Sequence, residues 1–165
     1  TSVFYAYRDS ITHFEEFQYF TGVTKIPTHC FSYCTRLNSI VLPPSIKSIE
    51  ARAFGVGTAS STGTRIKSII IPEGVTYIGD EAFCTCYYLS EISLPSTLLS
   101  IGINSFYENT SLKNIIKKNP VVLRNQPPDF FVNSLSIRQC RIPPIYNPLN
   151  PICNFISFNT NYCKK

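Results

Sequence analysis

Ile71-Pro72-Glu73-Gly74-Val75-Thr76-Tyr77-Ile78-Gly79-Asp80-Glu81-Ala82-Phe83-Cys84-Thr85-Cys86-Tyr87-Tyr88-Leu89 decides how this 165-residue chain folds, because its landmarks recur. The Phe returns as Phe31, Phe54, Phe83 and Phe106, at intervals of 23, 29 and 23 residues, and the upstream Ile returns as Ile26, Ile49, Ile78 and Ile101 at the same intervals. The single 29 is one period plus a six-residue insertion. Six residues beyond the Phe the pattern resumes as Leu37-x-x-Ile40-x-Leu42-Pro43, as Leu89-x-x-Ile92-x-Leu94-Pro95 and, after the insertion, as Ile66-x-x-Ile69-x-Ile71-Pro72. Leu112-x-x-Ile115 begins a fourth copy, which breaks at Lys117 and Lys118. Repetition at a fixed period of this size is the mark of a stacked array.

Inside each copy, Ile-x-Leu/Ile alternates with a two-residue period, as a short strand with one buried face does, and the Pro that follows ends the strand by removing a ladder donor. Each copy thus offers one strand. The Phe with its Ala neighbour, as in Gly79-Asp80-Glu81-Ala82-Phe83, reads as a turn of helix carrying a large core wedge. A 23-residue unit cannot bury its apolar side alone, so the copies must share one continuous core. The register predicts strands near 39–42, 68–71, 91–94 and 114–116, with the four Phe side chains inside and touching their neighbours.

The two ends differ from the middle. Thr12-x-x-Glu15 has capping-box spacing, Gly22 can stop a helix, and Ile11, Phe14, Phe17 and Phe20 give an apolar stripe, so a helix within 11–20 is expected to cover the open end of the stack. Near the other end, Phe131 is followed six residues later by Ile137-x-x-Cys140-x-Ile142-Pro143, the strand template with Cys in place of Ile. Residues 144–165 are rich in Asn and Pro and carry no period. The expected organisation is a cap over 1–21, four repeats over 22–116, a degenerate capping repeat over 117–143 and an irregular basic tail over 144–165.

Charge follows the same division. Residues 1–111 carry seven basic and nine acidic side chains, whereas residues 112–165 carry eight basic and one acidic, so the net +5 belongs to the C-terminal third. That third also holds seven of the twelve prolines and none of the seven glycines. No stretch approaches the roughly 18 to 20 apolar residues of a bilayer-spanning helix, and no basic-then-apolar leader opens the chain. Methionine is absent, so Thr1 is not a translation start and the expectation is a segment processed or cut from a longer chain.

The string from Ile71 to Leu89 resembles the repeat of the BspA-like leucine-rich-repeat family, whose unit runs I-x-L-P and then L/V-x-x-I-G-x-x-A-F-x-x-C-x-x-L. The resemblance covers about Gly22 to Ile116 and is closest in the third copy; Pro127-Pro128 ahead of Phe131 is similar to the family's last turn, in a shortened form. It implies a β-rich α/β solenoid: a right-handed, curved leucine-rich-repeat stack of about four to five coils, with short strands, short helical turns and an N-terminal helical cap. It also implies a cell-surface or secreted protein that binds other macromolecules.

Motifs that promise chemistry resolve into structure. Gly55-Val56-Gly57-Thr58-Ala59-Ser60-Ser61-Thr62-Gly63-Thr64 is Gly-rich but runs into a strand, not into Gly-Lys-Ser/Thr opening a helix, so it reads as a surface insertion and not a phosphate loop. Cys34 and Cys86 share the slot three residues after Phe, occupied by Gly57 and Asn109 in the other copies, and read as free structural thiols. Copies one and three lie two steps of about 4.8 Å apart. That separation exceeds the roughly 7 Å a disulfide spans, so Cys30 or Cys34 should not bridge to Cys84 or Cys86. His29 with these cysteines makes no zinc spacing. His13 and His29 are the only histidines, no Ser or Cys sits in a nucleophile elbow, and Glu15-Glu16 and Asp80-Glu81 read as acids at helix starts. Asn109-Thr110-Ser111 is a glycosylation sequon whose Asn falls in the inward slot. The expectation is no enzyme, no cofactor and no metal.

Binding is read from what points outward. Strand alternation turns out Asn38, Ser39 and Val41, then Lys67, Ser68 and Ile70, then Ser90, Glu91 and Ser93, then Lys113, Asn114 and Ile116. Lys67, Ser90, Glu91, Lys113 and Asn114 are the candidates on this face. A second set is aromatic, Tyr33, Tyr87, Tyr88 and Tyr107, after the Phe positions; Tyr combines contact area with a polar tip. The expected partner is a protein or glycan, with no small-molecule substrate, since no convergent polar cluster builds a pocket. Two other readings stay open, a spacer within a longer array and a polyanion binder through the basic third. That third lacks the Lys/Arg stripe with interleaved aromatics that nucleic-acid binding calls for.

Overall fold

The computed structural model describes residues 4–57 and 63–117. In those residues each repeat turns once around a shared core and lays down two strands, not one. In chain order they are β1 (His13–Phe14), β2 (Lys25–Ile26), β3 (Ser39–Ile40), β4 (Ser48–Ile49), β5 (Ser68–Ile70), β6 (Tyr77–Ile78), β7 (Glu91–Leu94), β8 (Ser100–Ile101) and β9 (Asn114–Lys117). The expected strand of each copy is β3, β5, β7 or β9. The second strand, β2, β4, β6 or β8, carries the repeating Ile26, Ile49, Ile78 or Ile101 and is only two residues long, too short to show an alternation.

All pairings are parallel and step from one coil to the next. β2, β4, β6 and β8 form one sheet, with Ile26, Ile49, Ile78 and Ile101 in register. β5, β7 and β9 form a second, with Ile69, Ile92 and Ile115 in register. β3 pairs with β1 and approaches β5 less regularly, through an Arg65 N–H to Leu37 carbonyl bond of 2.9 Å. The insertion lies just before this interruption.

Between the sheets runs a column of stacked rings. Phe31, Phe54, Phe83 and Phe106 lie face to face at 5.1, 5.0 and 5.5 Å, with interplanar angles of 16°, 5° and 7°. All four are buried. Phe4 continues the column, stacking on Phe31 at 5.0 Å and 8°.

The Phe-bearing segments are not helical turns. In each coil the residue two before the Phe is left-handed (His29, Arg52, Glu81, Asn104), and in three coils so is the residue two after it (Tyr33, Thr85, Glu108). Such positions cost about 1–3 kcal/mol each when the residue is not Gly. The kinked path has a return. The N–H groups of Phe31, Phe54 and Phe83 donate to the carbonyls of Ala53, Ala82 and Ser105 in the next coil at 2.7–2.8 Å, making a third line of bonds between coils. A helix would keep those donors inside the segment. Buried hydroxyls brace the same edge, Ser32 onto the Gly55 carbonyl and Ser105 onto the Gly79 carbonyl, each at 2.9 Å.

The N-terminal cap also departs from expectation. Residues 11–20 form β1 and then a 3₁₀ helix over Glu15–Tyr19. The capping box does not assemble: the Thr12 hydroxyl is 3.0 Å from His13 Nδ1, and the Glu15 carboxylate accepts the Ser39 hydroxyl. The edge of β3 offers this segment a parallel partner, which an α-helix would leave unpaired. The covering role itself is met, since Phe17 is buried and Phe14 and Ile11 pack against the core. Phe14 stacks on Phe17 at 5.1 Å, and Phe17 meets Phe31 edge-on at 5.7 Å. The degenerate repeat expected after Lys117 and the tail over 144–165 lie outside the described residues.

Candidate functional site

Alternation along the strands buries Ile40, Ile69 and Ile92 and leaves their neighbours on the outer face. Ser68, Glu91 and Asn114 stand side by side in register, as do Ile70, Ser93 and Ile116. Val41, Ile70 and Ile116 are 41%, 68% and 46% exposed, so an aliphatic column borders the polar one, with Ser93 as a gap between two isoleucines. Lys67, Lys113 and Asn114 are exposed, whereas Ser90 and Glu91 are half-buried. Asn114 Nδ2 donates to Glu91 at 3.4 Å, and the Ser90 hydroxyl is committed to the Lys67 carbonyl at 2.9 Å. Of the five strand-face candidates, Glu91 and Asn114 are in register within the sheet, and Lys67, Ser90 and Lys113 each stand one residue before a strand of it. A shallow depression lies elsewhere, at the N-terminal end beside Phe4, Tyr7, Ile11 and Phe14, and takes in none of the candidates.

The tyrosines do not form one cluster. Tyr33 lies on the first coil, in a left-handed slot within electrostatic reach of Arg52. Tyr88, 48% exposed, has the Arg65 guanidinium 5.8 Å above its ring. Tyr87 and Tyr107 meet around a residue the sequence reading passed over, Glu108: the Tyr87 hydroxyl donates to its carboxylate at 3.4 Å, and the Tyr107 phenol lies within reach of the same group. Partial burial and the Glu108 charge raise the Tyr87 phenol above its ordinary range, and the nearby Glu108 carboxylate raises that of Tyr107. Tyr107 is exposed and Tyr87 half-buried.

Glu81 also has a different role from the one expected of an acid at a helix start. It accepts two bonds from Arg52, at 2.9 and 3.1 Å, across adjacent coils. The signal was in the register, because Arg52 and Glu81 both stand two residues before the Phe and carry opposite charge. His29 holds the same slot one coil earlier, where burial, then Arg52, lowers its pKa. Its Nδ1 is 3.4 Å from the Ser32 hydroxyl, which is fully buried and already bound to a carbonyl.

Cys30, Cys34, Cys84 and Cys86 are buried free thiols. Burial pushes Cys30 and Cys86 up to about 12 and Cys34 and Cys84 up to about 11. At neutral pH they stay protonated, and a buried, protonated thiol is a poor nucleophile. Cys86 Sγ instead lies 3.6 Å from the Thr64 hydroxyl and 3.7 Å from the Phe54 carbonyl. Asn109, in the equivalent slot, is buried, with both amide atoms unpartnered among the described residues, so the sequon points inward.

Two strands per 23-residue coil around an aliphatic and Phe core define a leucine-rich-repeat β-solenoid of about four turns. The model of the BspA type leucine rich repeat region matches residues 3–115 and 55–159, with six copies, and the chain belongs to that family. Among solved structures, a leucine rich repeat protein of T. pallidum is similar at 27% identity and a TM-score of 0.51, over 58% of this chain and 42% of that one. A leucine rich cell surface protein from Faecalibacterium prausnitzii A2-165 aligns at 23% identity and a TM-score of 0.37, over 66% and 45%. The chain thus spans less than half the length of either protein. No curated protein matches it.

Proposed function

We propose that this chain is a non-catalytic binding module, cell-surface or secreted, whose outer face contacts a protein or glycan partner. The observation that carries the reading is the division of labour within each coil. Inward positions repeat as Ile, Leu and Phe and are consumed by the core, while outward positions in the same strands vary, Ser68, Glu91 and Asn114 in one row and Ile70, Ser93 and Ile116 in the next, and form a partly aliphatic surface. Stacked copies produce such extended surfaces by construction. Family membership supports a repeat-module role, and the family resemblance supports the surface location. The degenerate repeat proposed for 117–143 draws support from a family match that continues to residue 159.

The reading is tested by screening the full chain on host-protein and glycan arrays and then substituting the face. Ala at Lys67, Glu91 and Lys113 together, or at Tyr87, Tyr88 and Tyr107 together, is expected to weaken capture of the partner found while leaving the circular dichroism spectrum unchanged. Binding that survives both sets and is abolished by deleting 144–165 overturns it, and makes the basic tail the binding element. A chain that captures nothing favours the second reading, a spacer in a longer array, which its coverage of only 42% of the T. pallidum protein keeps in view.

A further inference from the structure

Resting on the binding-module reading, we propose that the corner made by Tyr87, Tyr107 and Glu108 receives a cationic side chain, lysine or arginine, of a protein partner. Glu108 sits at a left-handed position, φ 60°, on the turn edge of the fourth coil. Its carboxylate accepts the Tyr87 hydroxyl from the coil before, and the Tyr107 phenol of its own coil lies within reach of its charge. A phenol donor fixes a carboxylate in place without neutralising it. The contrast along the same edge is Glu81, whose charge is met by the Arg52 fork. Neither the Arg8–Asp9 nor the Arg52–Glu81 ion pair involves Glu108. Cys84, within reach of both carboxylates, is a protonated buried thiol and brings no charge of its own.

What remains is a fixed negative group beside phenol rings, of which Tyr107 is 42% exposed. That combination matches an ammonium or guanidinium, which gains from the carboxylate and from a ring face together. The edge already accepts such a pairing, since Arg65 stands over the neighbouring Tyr88. The same charge disfavours the carboxylates and sulfates of acidic glycans, so this corner separates a basic protein surface from an acidic glycan as partner.

The test uses the full chain with ring-labelled tyrosine, followed by NMR at low salt during addition of acetylated tetralysine amide, with tetraglutamate and a neutral oligosaccharide in parallel. The ring signals of Tyr87 and Tyr107 are expected to move with tetralysine, while those of Tyr7 and Tyr19, exposed at the far end, stay still. Glu108→Gln should weaken the apparent affinity about three- to fivefold, the scale of one partly exposed ion pair. Tyr107→Phe should weaken it less, and carries the test if the Gln variant does not fold. Rings that do not move, that move equally with tetraglutamate or the oligosaccharide, or that respond with undiminished affinity after Glu108→Gln, overturn the inference. If the array partner is lost on substitution at Lys67, Glu91 and Lys113 while tetralysine leaves Tyr87 and Tyr107 still, this inference falls and the binding-module reading stands.

Discussion

Phe83→Ala removes one ring from the middle of the column, and the geometry fixes how much that costs. Phe83 is 1% exposed and lies between Phe54 at 5.0 Å and Phe106 at 5.5 Å, nearly parallel to both. The gap cannot close by moving the coils together, because their spacing is set on one side by β4, β6 and β8 and on the other by β5, β7 and β9. The cavity therefore persists, which places the loss within the roughly 3–5 kcal/mol seen for buried Phe truncations. For a chain of this size that lowers the melting temperature by roughly 6–20 °C. Phe83→Leu, which keeps most of the volume and loses the flat stack, should fall by less than half as much. Circular dichroism melts give the magnitudes, and hydrogen exchange shows their reach: because coils are stabilised through their interfaces, protection should drop in β4 and β8 as well as β6. A melting temperature within about 3 °C of the parent, below the smallest loss expected from such a cavity, would refute the reasoning, as would exchange changes confined to the mutated coil.

Gly79→Ala tests the packing of the turns, since an added Cβ would lie 2.5 Å from the Ala51 nitrogen, which is backbone and cannot swing away. A loss of about 1–3 kcal/mol is expected in chemical denaturation, against little change for Gly22→Ala, where a Cβ meets open space. The thiols supply a chemical prediction: at pH 8, two or more units below where burial holds Cys30, Cys34, Cys84 and Cys86, iodoacetamide should spare all four until denaturant is added. Peptide mass spectrometry reads this out, and alkylation of any of the four in the native chain would contradict the burial assigned to it.

The fold was legible where the sequence repeats itself. The Phe interval placed the ring column, and the Ile-x-Leu alternation placed β3, β5, β7 and β9, because both signals are several residues long and recur. The second sheet was hidden by its two-residue strands, whose existence depends on a partner one coil away and not on local pattern. The helical turns and the helical cap failed for a related reason. Gly79-Asp80-Glu81-Ala82-Phe83 and Thr12-x-x-Glu15 have helix-starting chemistry read alone, but in the stack their backbone donors and side chains find better partners in the adjacent coil: Phe83 N–H on the Ser105 carbonyl, the Glu15 carboxylate on the Ser39 hydroxyl. Local propensity is a weak prior, and tertiary pairing overrode it at both places.

The candidate surfaces were legible to the extent that they follow the strand period. Glu91 and Asn114 could be assigned together because parity along a strand decides which face a side chain takes, whereas Lys67, Ser90 and Lys113 stand one residue before β5, β7 and β9, outside the alternation. The turn edge has no such parity. Its left-handed residues send neighbouring side chains in unlike directions, so the four tyrosines, uniform when read along the chain, separate into three settings: beside Arg52, under Arg65 and around Glu108. Contacts there join residues near one period apart or one period plus the insertion, Tyr87 with Glu108 and Arg52 with Glu81. Reading the turn slots down the stack, coil against coil, places His29, Arg52, Glu81 and Asn104 in one line and Tyr33, Val56, Thr85 and Glu108 in another. In the first line opposite charges are adjacent and pair. In the second, Glu108 arrives at the last described coil beside the Tyr87 hydroxyl, with no basic residue in its own line, and the proposal of a cationic partner at the turn edge starts from that difference between the two lines.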